Sequence, residues 1–326
     1  MILSQDLFTI SSKKQFEKIA LKTFRFQYDH NVVYQEFCDL LKIDKAAVKT
    51  LHQIPFLPIQ FFKSHCIVSN QNVVQQTFSS SGTTGVITSQ HFVTDVAKYE
   101  QSYRQAFNQF YGNIENFVIL AVLPSYLERE GSSLIYMVSD LIKLSNNAES
   151  GFYLNNYDQL IEKLILLDNA GKNVLLIGVT YALLDLIEIQ KFRLKNTIVM
   201  ETGGMKGKRK ELIREELHQL LCAGFGVTSI HSEYGMTELL SQAYSLGSGI
   251  FECPSWMHVL IRDTEDAFTY VANDKTGGIN VIDLANVNSC SFIATQDLGK
   301  KYDNESFEVL GRFDNSDIRG CNLMVL

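Results

Sequence analysis

Three continuous apolar segments, each followed by helix-like sequence, constrain the fold of this chain most strongly. They cover residues 117–123, 174–177 and 197–200. Apolar runs without polar alternation are typical of strands that are buried on both faces, as in a parallel sheet covered by helices. Because these strands alternate with amphipathic helices, the sequence predicts an α/β fold with a largely parallel sheet.

Helical periodicity around these strands completes the predicted layout. Residues 12–50 predict two helices, with buried faces formed by Phe16, Ile19, Ala20 and Phe24 and then by Phe37, Leu40 and Leu41. Prolines 55 and 58 interrupt the pattern, and extended chain is expected after them, at Phe61, Phe62, Ile67 and Val68. Thr94 is predicted to cap a helix over residues 95–110.

The pattern of apolar and turn-forming residues changes after about residue 245. Short apolar segments alternate there with turn sequences such as Asn273-Asp274 and Gly277-Gly278, which predicts a β-rich region. We therefore divide the chain into an α/β region, residues 1–245, and a β-rich subdomain, residues 246–326.

Composition and charge exclude several classes of protein. With 326 residues, 46% of them apolar and 20% charged, the chain is an ordinary globular protein with a sizeable core. The net charge of −7 argues against a nucleic-acid or membrane-surface partner. Six scattered cysteines without a C-x-x-C pair predict a reduced cytoplasmic protein, with neither disulfides nor a zinc site. We expect no signal peptide and no membrane span, because Asp185 and Glu188 interrupt the most apolar stretch.

A hydroxyl-rich segment, residues 78–85, is the first candidate for a ligand-binding loop. It holds five hydroxyl side chains and two glycines, and its candidate site residues are Ser80, Ser81, Gly82, Thr83, Thr84 and Gly85. Such a loop brings backbone amides and hydroxyl donors close to a polyanion such as a nucleotide triphosphate. No lysine follows the second glycine, so the segment is not a P-loop. On its own it is more typical of a flexible polar turn.

Predicted strand ends place other polar segments near this loop. Residues 128–133 and 201–204 also follow predicted strands. Because ligands gather at the carboxyl ends of strands in open α/β sheets, we expect these segments to share one edge with the hydroxyl loop. Glu128 and Arg129 are either part of that site or a structural ion pair, and the sequence leaves both open.

Further clusters make the chain resemble a known superfamily. They are residues 231–238 (His-Ser-Glu-Tyr-Gly-Met-Thr-Glu), 295–299 (Thr-Gln-Asp-Leu-Gly) and 311–314 (Gly-Arg-Phe-Asp). With the hydroxyl loop, their order and spacing resemble the adenylate-forming enzymes, which include acyl-CoA synthetases, luciferase-type ligases and peptide-synthetase adenylation domains. Residues 127–134, 201–208 and 317–321 look like the acyl-protein synthetase branch, of the LuxE type. The similarity runs from roughly residue 50 onward.

This resemblance implies a fold and an activity. The fold would be a large domain with mostly parallel sheets flanked by helices, plus a β-rich C-terminal subdomain that completes the same nucleotide- and acyl-binding site. Members of the branch activate a fatty acid as acyl-AMP and pass the acyl group to a cysteine, for delivery to an acyl reductase partner. The implied cofactors are ATP and Mg²⁺, and the implied small-molecule substrate is a carboxylic acid.

Residue roles follow from the same resemblance. The hydroxyl loop, from Ser80 to Gly85, would hold the β- and γ-phosphates, Thr237 would contact the α-phosphate, and Glu238 would hold Mg²⁺. The nucleoside would be bound by Tyr234 and Gly235, backbone at Gly203 and Gly204, Asp297 at the ribose, and Arg312 near ribose and phosphate. Taken singly, Tyr234 is more typical of a core aromatic residue, Asp297 of a turn and Arg312 of a solvated charge.

Some features depart from the superfamily pattern. No lysine closely follows the hydroxyl loop, and the mobile C-terminal domain that carries a catalytic lysine is expected to be lacking, since the sequence ends fourteen residues after Arg312. Either this lysine is dispensable in the branch, or Lys206 or Lys208 replaces it, or the enzyme adenylates weakly.

The acyl acceptor is a separate question. Cys321 is the candidate, because Arg319 nearby would favour its thiolate, but a cysteine beside Leu323 and Val325 is equally a small buried apolar residue. Otherwise the acceptor is coenzyme A or the thiol of a partner such as an acyl-carrier protein. The function predicted from sequence is that of an acid–thiol ligase. The alternatives are a CoA ligase resembling phenylacetate–CoA ligase and a non-catalytic nucleotide-binding subunit of an acyl reductase complex.

Overall fold

The computed structural model describes residues 7–69, 72–80, 88–124, 131–154, 156–203, 209 and 212–313. These residues form two compact units. The central unit comprises Gln76–Gln90 and Val96–Pro254, and the N–C unit comprises the residues up to Gln75, His91–Asp95 and the residues from Ser255 onward.

The helices and strands of the described residues are numbered here in chain order. Helices α1–α8 are Lys13–His30, Val32–Leu40, Phe61–Ser64, Val96–Tyr111, Ser133–Leu144, Tyr157–Asn169, Thr180–Ile189 and Arg214–Phe225. Strands β1–β7 are Leu57–Pro58, Gln76–Ser79, Gln90–Val93, Val118–Val122, Gly151–Phe152, Val174–Val179 and Thr197–Thr202. Strands β8–β14 are His231–Tyr234, Ala243–Ser245, Ile250–Glu252, Met257–Arg262, Gly277–Asp283, Phe292–Lys301 and Phe307–Arg312.

A mostly parallel sheet forms the core of the central unit. Its strand order is β10-β9-β8-β7-β6-β4-β5, and the pairs from β8 to β5 are all parallel, whereas β9 and β10 pair antiparallel. Every residue of β4 and β6 is buried, as their continuous apolar sequences predicted. The predicted α/β fold with a largely parallel sheet is confirmed.

Local sequence signals determine the buried faces and the ends of the helices that cover this sheet. Helix α4 buries Tyr99, Tyr103 and Phe107, which recur at the spacing of one helical face. Helix α5 begins after Ser132, whose hydroxyl accepts a hydrogen bond from the amide of Ile135. Helix α8 ends at Phe225 and is followed by Gly226, whose φ of 71° is the left-handed conformation that favours glycine after a helix.

The N–C unit packs the first helices against the last strands. Strands β11–β14 form an antiparallel meander, and β1 pairs parallel with β13. The buried amide of Gln27 in α1 donates to the carbonyl groups of Asn286 and Val287, and Lys13 forms an ion pair with Glu305 at 2.5 Å. The compact units therefore follow a different division from the one drawn at residue 245.

Some sequence-based expectations for the N-terminal region are wrong in detail. Leu40 is 83% exposed, and the buried residues of α2 are Tyr34 and Cys38. Tyr34 is held inward because its hydroxyl donates to the carbonyl of Pro55, which turns the last residue of the helix outward. Phe61 and Phe62 begin the single-turn helix α3 instead of extended chain. None of the described helices is long and apolar enough to cross a membrane.

Candidate active site

The carboxyl ends of β7 and β8 meet at one edge of the central unit. Thr202, the last residue of β7, is the register partner of Glu233 in β8. The next residues along the two strands are Gly203 and Tyr234, so two of the predicted nucleotide-binding segments are adjacent. The Thr180 hydroxyl at the start of α7 donates to the carbonyl of Gly203 at 2.7 Å, which fixes that backbone.

The hydroxyl-rich segment begins beside Gly131, which lies just before α5. The Ser79 amide donates to the carbonyl of Gly131, and the Ser80 amide and hydroxyl exchange hydrogen bonds with the backbone of Ser89. Gly131 has a φ of 83°, and an added Cβ would lie 3.3 Å from the Thr77 carbonyl oxygen. Only glycine meets both conditions without strain. Of the predicted phosphate loop, Ser81, Gly82, Thr83, Thr84 and Gly85 lie outside the described residues.

Residues 234–238, at the end of β8 and just after it, contain several of the predicted ligand-binding groups. Tyr234 and Thr237 are half-buried, Gly235 is exposed, and Glu238 is 5% exposed. An added Cβ on Gly235 would collide with the terminal carboxylate oxygen of Glu233, so a side chain at this position would have to displace that carboxylate. The segment thus combines an aromatic ring, a hydroxyl group and a buried carboxylate within five residues.

Glu233 is a buried acid within residues 231–238, and the resemblance assigned it no role. Its carboxylate accepts a hydrogen bond from the Thr202 hydroxyl at 2.5 Å, which joins the ends of β7 and β8. Burial raises the pKa of Glu233 to about 7, although the Thr202 bond favours the ionised form. At neutral pH this carboxyl group therefore exchanges between its protonated and ionised forms.

A second buried acid, Glu201, lies on the other face of the sheet end. Its carboxylate accepts a hydrogen bond from the Arg214 guanidinium at 2.6 Å, and His218 Nε2 lies 3.7 Å away. Burial alone would raise the pKa of Glu201, but His218 and Arg214 outweigh it, and the pKa lies below its ordinary value. Glu201 is therefore an ionised partner that holds Arg214 beside the sheet end.

The N–C unit contains the other predicted nucleoside-binding pair. Asp297 in β13 and Arg312 in β14 are register partners, and Arg312 Nε lies 3.3 Å from Asp297 Oδ1. The Asp297 side chain is nearly buried, whereas that of Arg312 is 83% exposed. Exposure leaves the guanidinium able to turn towards a ligand while the carboxylate stays fixed.

Several predicted residues lie outside the part of the chain that the structure describes. Besides the five loop residues named above, they are Gly204 and Cys321 among the site residues, and Lys206, Lys208, Glu128 and Arg129 among the open alternatives. Their roles remain predictions from sequence.

The described site also contains residues to which the sequence assigned no role. Glu201 and Glu233 stand inside the recognised motifs, but their partners, Arg214 and Thr202, come from other elements. For Glu201 the available signal was its place at the end of the apolar strand β7, where a buried charge requires a partner. Strand β8 is polar in sequence and gave no such signal for Glu233.

The fold is that of adenylate-forming ligases. 2-Hydroxyisobutyryl-CoA ligase, in an open conformation with 2-HIB-AMP and CoA, superposes with a TM-score of 0.66 over 93% of this chain and 70% of its own, at 10% identity. ATP-bound MatB from Rhodopseudomonas palustris gives a TM-score of 0.54 over 72% of this chain and 47% of its own, at 15% identity. Likeness at such low identity concerns the fold alone.

Sequence comparison narrows this class. The family model described as acyl-protein synthetase, LuxE, matches residues 1–326, and the chain belongs to this family. A long-chain-fatty-acid–luciferin-component ligase of Vibrio harveyi is 22% identical over 97% of this chain and 88% of its own length. A ligase of the same name from Photorhabdus luminescens is 34% identical over 22% of this chain and 60% of its own length.

Family membership confirms the class of activity predicted from sequence. The protein is a ligase that activates a carboxylic acid as an acyl-adenylate and transfers the acyl group to a thiol.

Proposed function

We propose that this protein activates a long-chain fatty acid with ATP and Mg²⁺ and transfers the acyl group to a protein thiol. The acid is inferred from the long-chain-fatty-acid ligases to which the chain is similar. The observation that supports the proposal most is the meeting of Gly203, Tyr234 and Gly235 at adjacent strand ends of the central unit. Ser80 begins the hydroxyl loop beside Gly131, which follows β4 of the same parallel sheet.

The proposed reaction has two steps. A carboxylate oxygen of the acid attacks the α-phosphorus of ATP, the bond to the bridging oxygen of the β-phosphate breaks, and pyrophosphate leaves. A thiolate then attacks the acyl carbon, a thioester forms, and AMP leaves. The first step brings two anions together, so donors that act on the phosphate oxygens lower its barrier.

The nucleotide-binding residues have distinct roles in this scheme. Tyr234 stacks on the adenine against the backbone of Gly203 and Gly204, and Gly235 leaves space beside it. Asp297 accepts hydrogen bonds from the ribose hydroxyls, and Arg312 contacts the ribose and phosphate. Thr237 donates to the α-phosphate, and the loop of Ser80, Ser81, Gly82, Thr83, Thr84 and Gly85 holds the β- and γ-phosphates.

Glu238 suits a magnesium ion that arrives with the nucleotide. Mg²⁺ is usually bound through one or two carboxylates together with phosphate oxygens. Among the described residues no group of three or more His, Cys, Asp or Glu side chains could hold a metal ion by itself. The buried carboxylate of Glu238 therefore fits a shared site, where the ion would neutralise developing phosphate charge.

Acid-dependent exchange between ATP and labelled pyrophosphate tests the first step. We expect exchange with fatty acids of long chain, and a loss of about a hundredfold or more in Glu238→Gln. Glu162→Gln, which changes an exposed acid of the central unit, is the matched control and should exchange normally. Absence of exchange with every acid in a broad panel would refute the activity, and undiminished exchange in Glu238→Gln would refute the metal role.

The acceptor thiol needs a separate experiment. After incubation with ATP and a radioactive fatty acid, we expect label on the protein that hydroxylamine releases and that Cys321→Ser abolishes. Cys66→Ser, at an exposed cysteine, is the control and should retain its label. Label that persists in Cys321→Ser, or that Cys66→Ser abolishes as well, would contradict a protein thioester at Cys321.

Coenzyme A is the second candidate acceptor. The observation that favours it is the likeness of fold to 2-hydroxyisobutyryl-CoA ligase, which was crystallised with CoA. In this case the label would leave the protein as a soluble thioester when coenzyme A is added. A reductase or acyl-carrier protein as the final acceptor would instead take the label into its own chain.

A further inference from the structure

Arg214 occupies a position where a cation is not expected on helical grounds. It is the first residue of α8, where the free amide groups of a helix carry partial positive charge and favour acids. Glu215 and Glu216 follow that rule in the same turn. Arg214 is therefore held in place by contacts outside its own helix.

Those contacts come from two strands of the central sheet. Arg214 Nη1 lies 2.6 Å from Glu201 Oε1 at the end of β7 and 3.3 Å from Ser232 Oγ in β8. Because Glu201 is buried, it is desolvated and its charge needs this partner. The guanidinium is consequently fixed immediately before the Thr202–Gly203 strand end.

The face of the guanidinium covers an aromatic ring. Arg214 Cζ lies 5.1 Å from the centroid of Phe251 in β10, a cation–π distance. Arg214 Nε is buried without a hydrogen-bond partner among the described residues, so the guanidinium is held through Nη1 and through its contact with the ring. Gly249, with a φ of 68°, leaves the space that the Arg214 stem fills, since any Cβ there would collide with Arg214 Cδ.

Phe251 in turn contacts the residue that the proposed function places on adenine. The ring centroids of Phe251 and Tyr234 are 6.0 Å apart, with an interplanar angle of 64°. Phe251 is 1% exposed, so its ring has little freedom to move, whereas Tyr234, the last residue of β8, is half-buried. The contacts form a continuous chain from Glu201 through Arg214 and Phe251 to Tyr234.

We propose that Arg214 is a positioning residue of the nucleotide site, which is held by Glu201 and sets the orientation of Tyr234 through the ring of Phe251. The inference rests on the proposed function, because it assumes that Tyr234 stacks on adenine. Its consequence is that Arg214 determines affinity for the base without touching the nucleotide or the reacting atoms.

The test compares binding of ATP with binding of inorganic tripolyphosphate, which lacks the base, by calorimetry. Arg214→Lys keeps a charge that can reach Glu201 but has no planar group to cover Phe251, and Phe251→Leu keeps apolar volume without a ring. We expect each variant to weaken ATP binding about tenfold and to leave tripolyphosphate binding unchanged. In pyrophosphate exchange KM for ATP should rise by a similar factor at nearly constant kcat.

A variant that combines Arg214→Lys with Phe251→Leu tests whether the two residues act through one chain of contacts or affect ATP binding independently. If Arg214 acts through Phe251, the variant with both changes should bind ATP no more weakly than Phe251→Leu alone. Arg193→Lys, at an exposed arginine of the same unit, is the matched control and should bind ATP normally.

The contrary results distinguish failure of the positioning role from failure of the proposed function. Additive losses in the double variant, or equal losses for ATP and tripolyphosphate, would overturn the positioning role. Normal ATP binding by Arg214→Lys would overturn it as well. Failure of the unmodified protein to bind ATP would instead refute the proposed function and, with it, this inference.

Discussion

The buried carboxyl group of Glu233 should make folding stability depend on pH in the neutral range. Its pKa rises from the ordinary 4.5 to about 7 in the folded protein because burial disfavours the ionised form. An acid whose folded pKa is raised contributes its full stability below the unfolded pKa, and this contribution is lost as the pH rises through the folded pKa. The loss therefore occurs between about pH 4.5 and somewhat above pH 7.

The magnitude follows from the same two values. The difference between 4.5 and about 7 corresponds to about 3 kcal/mol, since each pKa unit is worth about 1.4 kcal/mol. Glu233→Gln removes the ionisable group, while its amide oxygen can still accept the Thr202 hydrogen bond. Relative to the original protein, the variant should gain up to about 3 kcal/mol of unfolding free energy above pH 8 and little at pH 5.

Urea unfolding at a series of pH values from 5 to 9 measures this difference directly. Tyr99, Tyr111 and Tyr244 face Glu233 and stay protonated throughout, because burial raises the pKa of each. His231, whose pKa is lowered by burial, changes stability in the same range with the opposite sign, but it is present in both proteins and cancels in the difference. The same pH dependence in Glu233→Gln as in the original protein would refute the reasoning.

Two further predictions concern other parts of the structure. Gly131→Ala should lower the free energy of unfolding by about 1 kcal/mol more than Gly112→Ala in urea titrations, because both glycines have φ near 80° but only a Cβ at position 131 meets neighbouring backbone. Equal effects would contradict the role given to the Thr77 carbonyl. Lys301→Met should raise the pKa of His258 above its value of about 4, which burial and then the Lys301 ammonium at 3.1 Å depress. An NMR titration of the imidazole checks this, and an unchanged pKa would leave burial as the whole cause.

Strands and helices were predictable from the sequence where their residue pattern reflects their burial. Strands β4 and β6 are buried along their whole length, and their unbroken apolar sequences carry that information locally. The exposure of Leu40 was not predictable in this way. Its spacing suits a buried helical face, but the hydrogen bond from Tyr34 to Pro55 sets the rotation of α2, and that contact spans 21 residues.

Some residues of the candidate site were predictable from the sequence and others were not. Motifs identified Tyr234, Asp297 and Arg312, and the structure places the last two in register on neighbouring strands. Glu233 escaped assignment because alternation along β8 turns it to the face opposite Tyr234, where its partner Thr202 becomes apparent only once the strand register is known. Arg214 was equally hidden, since nothing near it in sequence predicts an ion pair with a strand end.

The pairing of the first helix with the last strands has a consequence for biosynthesis. Gln27 and its acceptor Asn286 are 259 residues apart, so a ribosome that adds about 5–20 residues per second exposes α1 for roughly 13–50 s before its partner emerges. During that interval the apolar face formed by Phe16, Ile19 and Phe24 has no strands to cover it. The nascent chain therefore presents an uncovered apolar face, of the kind that chaperones bind, until the partner strands have been made, while the central unit, continuous apart from residues 91–95, can fold first.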